Sequence, residues 1–119
     1  MLPNGFDRVP RCRACYTIRL DAACRVAREL GFSYVSTTLA VSPYQLFEDC
    51  TEILERLAAA NGLTPIVRDW RPLYPKATTE SRELGMYRQN YCGCRFSAAE
   101  ATIERHERRD ERKAARRAR

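Results

Sequence analysis

Four of the six cysteines fall in two tight couples, Cys12-Arg13-Ala14-Cys15 and Cys92-Gly93-Cys94. Cysteines three apart at the start of a helix lie on one face, about a turn apart. The exposed N–H groups and the helix dipole there stabilise a thiolate, and Arg11 and Arg13 bring positive charge to the same place. That arrangement suits two ligands of an iron–sulfur cluster, half of a zinc site, or a dithiol couple. Packing of Cys15 on an apolar helix face is the plain alternative. Across a single glycine, the sulfurs of Cys92 and Cys94 can close a small-ring disulfide or chelate one metal ion, and Gly93 relieves the backbone strain of such a turn. Strain also makes a disulfide easier to reduce, as a working redox pair requires. Just before this couple, Tyr87-Arg88-Gln89-Asn90-Tyr91 interleaves aromatics with hydrogen-bonding side chains. An unstacked nucleobase meets such surroundings; core packing of the two tyrosines is the alternative. Cys24 and Cys50, among apolar neighbours inside predicted helices, read as buried small hydrophobes. His106 is the single histidine and lies in a charged tail, so a zinc site would draw its other ligands from cysteine alone.

The elements that must position these residues alternate in type. Pro3, Gly5 and Pro10 break any pattern over residues 1–11. A helix is expected from about Arg13, with Cys15, Ile18, Ala22, Val26 and Leu30 on its buried face and Gly31 ending it. Phe32 to Leu39, aromatic and β-branched, reads as a strand. Ser42-Pro43-Tyr44-Gln45 is a capping signature for a second helix whose buried stripe is Leu46, Cys50, Ile53, Leu54 and Leu57, stopped by Asn61-Gly62. Thr64 to Trp70 reads as a second strand, with Pro65 near its start, where it is tolerated. Strand, helix, strand makes a parallel crossover unit. Residues 71–77 are expected to be a loop and Thr79 to about Tyr87 a third helix. Ser97-Ala98-Ala99-Glu100 is a second capping signature, opening a last helix rich in good helix formers. The expected class is α/β, a parallel sheet with helical crossovers plus a C-terminal basic helix. Two strands are few for a parallel sheet covered on both faces, so the sheet reads as incomplete.

With 119 residues the chain is one domain at most, and 30% charged residues against 45% hydrophobic is a globular balance rather than a disordered one. No run approaches the roughly 18 apolar residues that would span a membrane. Met1-Leu2-Pro3-Asn4-Gly5 offers no basic segment followed by an apolar one, so the expectation is a cytoplasmic protein that uses its cysteines for metal or redox chemistry. From Glu104 to Arg119 eight Lys/Arg stand against four Asp/Glu, a net of +4 out of +6 for the whole chain. Such an arm favours a polyanionic partner; a solvated helix laced with i,i+4 ion pairs is the alternative.

Taken in order, these blocks resemble the QueH-type epoxyqueuosine reductase family. The resemblance rests on Arg11-Cys12, Cys15-Tyr16, Arg19-Leu20, Gly31-Phe32, Ser36-Thr37-Thr38-Leu39 and Ser42-Pro43-Tyr44-Gln45. It continues through Asp69-Trp70-Arg71-Pro72, Ser81-Arg82-Glu83-Leu84 and the run from Tyr87 to Ser97. It implies a Rossmann-like α/β domain over residues 1–97 with a basic helical tail over 98–119, and a 4Fe–4S cluster. It also implies reduction of epoxyqueuosine to queuosine at the wobble position of tRNAs with GUN anticodons, in queuosine biosynthesis. By the same resemblance Cys12 and Cys15 are cluster ligands, and Cys92 and Cys94 are a redox-active pair or ligate an additional iron. Tyr87, Arg88 and Tyr91 are candidates for holding the flipped base and the basic tail for meeting anticodon-stem phosphates; an electron donor is implied, and Asp69 is a lesser candidate for proton donor. Family members begin with a strand ending in an adjacent Cys-Cys pair that has no counterpart here, so a fragment of a longer enzyme is expected. The competing class is a non-enzymatic Cys-rich zinc or RNA-binding protein, which zinc without inorganic sulfide would favour.

Overall fold

Pro10 does not delay the first helix. A proline in the first turn gives up an N–H that has no helical partner there, and α1 runs over Arg8–Glu29 from an N-cap at Asp7. The computed structural model describes residues 7–89 and 91–118; the expectation for residues 1–6 lies outside them. The described residues form two units, the first ending at Leu84 and the second beginning at Gly85.

The buried face of α1 is not the expected one. Tyr16, Leu20 and Cys24 are 2%, 4% and 0% exposed, whereas Ile18 is 71% and Leu30 69% exposed. The helix carries two apolar rows at helical spacing, and periodicity alone cannot say which one packs. The row with Tyr16 packs because its hydroxyl finds partners inside: it donates to Gln45 Oε1 at 2.8 Å and accepts the Leu46 N–H at 2.9 Å. A phenol buried without them would lose a hydrogen bond to water.

Helix α2 (Phe47–Ala60) buries Cys50, Ile53, Leu54 and Ala58; of the expected stripe Cys50, Ile53 and Leu54 are buried, Leu46 and Leu57 only partly, and Ala58 takes a place that the sequence pattern does not give. The helix starts later than expected, because Ser42 closes a turn instead: its hydroxyl accepts the Tyr44 N–H and its carbonyl the Gln45 N–H. Glu48 and Asp49 occupy the first turn, where carboxylates favour the helix dipole. Both helices end alike. Gly31 N–H bonds Arg28 and Phe32 N–H bonds Ala27; Gly62 N–H bonds Ala59 and Leu63 N–H bonds Ala58. This pattern needs a left-handed residue, and Gly31 and Gly62 have φ of 80° and 69°.

Tyr16, Leu20, Cys50, Ile53 and Leu54 form the main core, with Cys12, Val35, Leu39, Leu46, Leu57 and Val67 packed against it. A smaller cluster joins Cys24, Ala58 and Leu63. The strands are much shorter than expected: β1 is Tyr34–Val35 and β2 is Thr64–Pro65, paired in parallel with Tyr34 opposite Thr64. Thr64 N–H bonds Ser33 and Ile66 N–H bonds Val35, so Pro65, one residue out of phase, needs no donor toward β1. β1 stops because Thr37 Oγ1 accepts the Leu39 N–H and turns the chain into a 3-10 turn over Thr38–Val41. The expected loop and third helix are also corrected. A 3-10 turn over Arg71–Leu73 leads into α3 (Tyr74–Glu83), with Pro75 in its first turn and Gly85 (φ 64°) beyond its end. The first unit is thus a mixed α/β arrangement, mostly helical, around one parallel strand–helix–strand passage.

The second unit holds α4 (Arg95–Arg117). Among the described residues, no helix is long and apolar enough to cross a membrane.

Candidate functional site: two cysteine couples

The early start of α1 changes the setting of the first couple. Cys12 and Cys15 lie one turn apart but beyond the first turn, and Arg11 N–H already bonds the Asp7 carbonyl at 3.1 Å. The helix's unpaired N–H groups therefore lie before Cys12, and the expected stabilisation of a thiolate by them does not apply. Arg13 is engaged elsewhere: it bonds Asp49 at 2.6 Å and Glu52 at 3.1 Å. The bonds to Glu52 first, and then to Asp49, raise its pKa further. Both cysteines are half-exposed, and Cys12, rather than Cys15, packs against the main core.

These two thiols fit half of a four-thiolate cage. The other two cysteines of this unit do not add to it. Burial pushes the Cys24 thiol up, with Asp21 adding to the effect, and burial likewise pushes up Cys50 despite Arg19. A ligand must be a thiolate, so both remain small hydrophobes, as the sequence reading has them. Within either unit, no three of the described His, Cys, Asp or Glu side chains converge where they could share a metal ion.

The second couple sits where the chain turns into α4. Cys94, not Ser97, is the N-cap, and its sulfur accepts the Ser97 N–H at 3.3 Å. The Ser97 hydroxyl donates to the Cys94 carbonyl at 2.9 Å and accepts the Cys92 N–H at 3.2 Å. The Cys92 sulfur lies 3.2 Å from the same oxygen and 3.7 Å from the Cys94 sulfur. Gly93, at φ 98°, makes this tight turn possible. Cys92 is exposed and Cys94 half-exposed, and neither is joined in a disulfide. Ser97 stands at the helix start, as its capping pattern predicts, but that pattern does not give its part in the couple. The signal was its place three residues after Cys94, the spacing of an N-cap and the amide it caps.

Tyr87 is 83% and Tyr91 36% exposed, so neither is a core residue. Arg88 is exposed as well. Gln89 Nε2 donates to the Tyr91 carbonyl at 2.9 Å, and Asn90 lies outside the described residues.

Asp69 takes both ends of the Arg71 guanidinium at 2.8 and 2.6 Å. That hydrogen bond is the main reason its carboxyl is held below the usual range. Arg71 also stacks over the Phe47 ring, 4.4 Å from its centroid. An open hollow of about 220 Å³ lies beside it, lined by Leu46, Phe47, Glu48, Asp49 and Arg71. Its two carboxylates make it inhospitable to a phosphate.

Against known proteins, the sequence profile described as epoxyqueuosine reductase QueH matches residues 2–100. The chain belongs to the epoxyqueuosine reductase QueH family. It is 36% identical over 90 residues to the epoxyqueuosine reductase QueH of Dehalococcoides mccartyi, covering 76% of this chain and 50% of that protein. The protein of the same name from Thermotoga maritima is 35% identical over 92 residues, 76% of this chain and 48% of its own length. That from Streptococcus pyogenes is 31% identical over 98 residues, 81% and 37% of the two lengths. The chain thus spans about half the length, or less, of these curated relatives. This membership does not favour the binding-protein alternative.

Proposed function

We propose that the chain takes part in the iron–sulfur-dependent reduction of epoxyqueuosine to queuosine at the wobble position of tRNAs with GUN anticodons. The single observation that carries the reading is the exposed two-sulfur turn at Cys92-Gly93-Cys94, inside the stretch shared with the reductases. In this reading the first unit is part of a Rossmann-like domain, and Cys12 and Cys15 hold two corners of a 4Fe–4S cluster whose other thiolates come from outside residues 7–84. Cys92 and Cys94 act as a redox-active pair or as ligands of an additional iron. Two sulfurs 3.7 Å apart stand well beyond the length of a bond, about 2.05 Å. They are close to the separation of two thiolates about 2.3 Å from one tetrahedral metal ion.

The chemistry is a two-electron reduction. Two electrons from a donor and two protons remove the epoxide oxygen as water and leave a carbon–carbon double bond. The cluster supplies the electron path when bound. Exposed Tyr87 and Tyr91 offer faces on which an extruded base stacks, and Arg88 a planar cation beside them. The basic stretch of α4 meets the anticodon-stem phosphates. A tRNA substrate places the protein in the cytoplasm.

The test is anaerobic reconstitution with iron and sulfide, a viologen reductant, and epoxyqueuosine-containing tRNA, read by nucleoside mass spectrometry. Conversion to queuosine that falls at least about 100-fold in Cys92→Ser or Cys94→Ser is the expected result, on the scale of losing a group that acts in the chemical step. Unchanged turnover in both variants would remove the role given to this pair.

A further inference from the structure

Ser97 makes more bonds to the second couple than capping a helix requires. Its oxygen stands between the two cysteines, donating to the Cys94 carbonyl at 2.9 Å and receiving the Cys92 N–H at 3.2 Å, with the Cys92 sulfur also at 3.2 Å. Its own N–H meets the Cys94 sulfur at 3.3 Å. A hydroxyl has one proton and two lone pairs, and here all three are directed at the Cys92–Cys94 turn. Gly93 between the cysteines imposes no side-chain restraint: a Cβ there would find only Gln89 Nε2, 3.9 Å away. Without a crosslink such a turn samples many states, and each one with the sulfurs apart weakens anything that must engage both.

We propose that Ser97 is a positioning residue that holds Cys92 and Cys94 in advance as a two-sulfur bite able to close on a single atom. The proposal rests on the reading that the two cysteines act together, and it adds the residue that keeps them together. Ser97 does not touch the atom that is held. It acts through the turn, fixing both ends of the Cys92-Gly93-Cys94 backbone and the rotation of each sulfur.

Phenylarsine oxide tests this, because one arsenic atom takes both sulfurs. Two As–S bonds form, the arsenic–oxygen bond breaks, the oxygen leaves as water with the two thiol protons, and no oxidation state changes. The full chain is used in a Cys15→Ser background, which removes the other accessible two-sulfur site, and affinity is read by competition with a small dithiol. Ser97→Ala is expected to bind about three- to tenfold more weakly, the scale of one lost hydrogen bond, while Ser97→Thr, which keeps the hydroxyl, stays within about twofold. Circular dichroism confirms that α4 persists in each variant. Equal affinity of Ser97→Ala and its parent overturns the proposal, as does a Thr variant as weak as the Ala one. The Cys92→Ser variant separates this from the larger reading. Undiminished arsenical binding in Cys92→Ser means that the cysteines do not act as a pair, and both readings fall. Loss of binding there with no effect of Ser97→Ala removes only the role of Ser97.

Discussion

Tyr16 is 2% exposed, yet its hydroxyl joins α1 to the Gln45 side chain and to the Leu46 N–H that opens α2. Replacing it with Phe keeps the ring packing and strands that N–H. The expected cost is about 1–2 kcal/mol, read as a lower urea midpoint with an unchanged denaturant slope. The six thiols should also separate by reactivity. Cys92 is exposed while Cys24 and Cys50 are buried with raised pKa values. Alkylation at neutral pH should therefore label Cys92 and leave the buried two until the chain unfolds, as peptide mapping will show. Asp69 titrates below the ordinary aspartate because Arg71 bonds it. The ion pair is present above the ordinary pKa and is lost as pH falls through the lowered one. An Arg71→Ala variant should move the carboxyl resonance midpoint upward toward the ordinary value.

The helices were legible in the sequence and their faces only partly so. Most of the stripe on α2 reads cleanly because its other side is polar. α1 misleads because Cys15, Ile18, Ala22, Val26 and Leu30 repeat as regularly as Cys12, Tyr16, Leu20, Cys24 and Ala27; the choice rests on partners at Gln45 and Leu46, which lie far along the chain. Both predicted strands exist but shrink to two residues each, since β-branched composition marks where a strand can form and not how far a neighbour pairs with it. At the site, both cysteine couples were legible from spacing, whereas the Ser97 contacts depend on which residue caps α4. The glycine stops at Gly31 and Gly62 were readable, whereas Gly85, expected inside the third helix, lies beyond its end. A Cβ at Gly31 would meet nothing within 4 Å, so Gly31→Ala should cost only the left-handed backbone penalty of about 1–2 kcal/mol. Its thermal midpoint measures that directly.

At the scale of the whole chain the charge is lopsided, with +4 of the +6 after residue 103. Glu104 pairs with Arg108 one turn on, at 3.5 Å, an exposed contact worth little. If tRNA binds through this stretch, as proposed, its binding should weaken linearly on logarithmic axes of dissociation constant against salt. Arg112→Glu with Lys113→Glu should make that line shallower by about one unit for each side chain that met a phosphate. Filter binding across a salt series measures both. The small sheet is lopsided too. Ladder bonds alternate along a strand, so with Ser33 and Val35 serving β2, the N–H and C=O of Tyr34 point away from it. On the far side of β2 the same alternation presents Pro65, which has no hydrogen to offer. The ribbon therefore has a growing margin and a blunt one: another strand can zip onto Tyr34, and none can zip regularly past the proline.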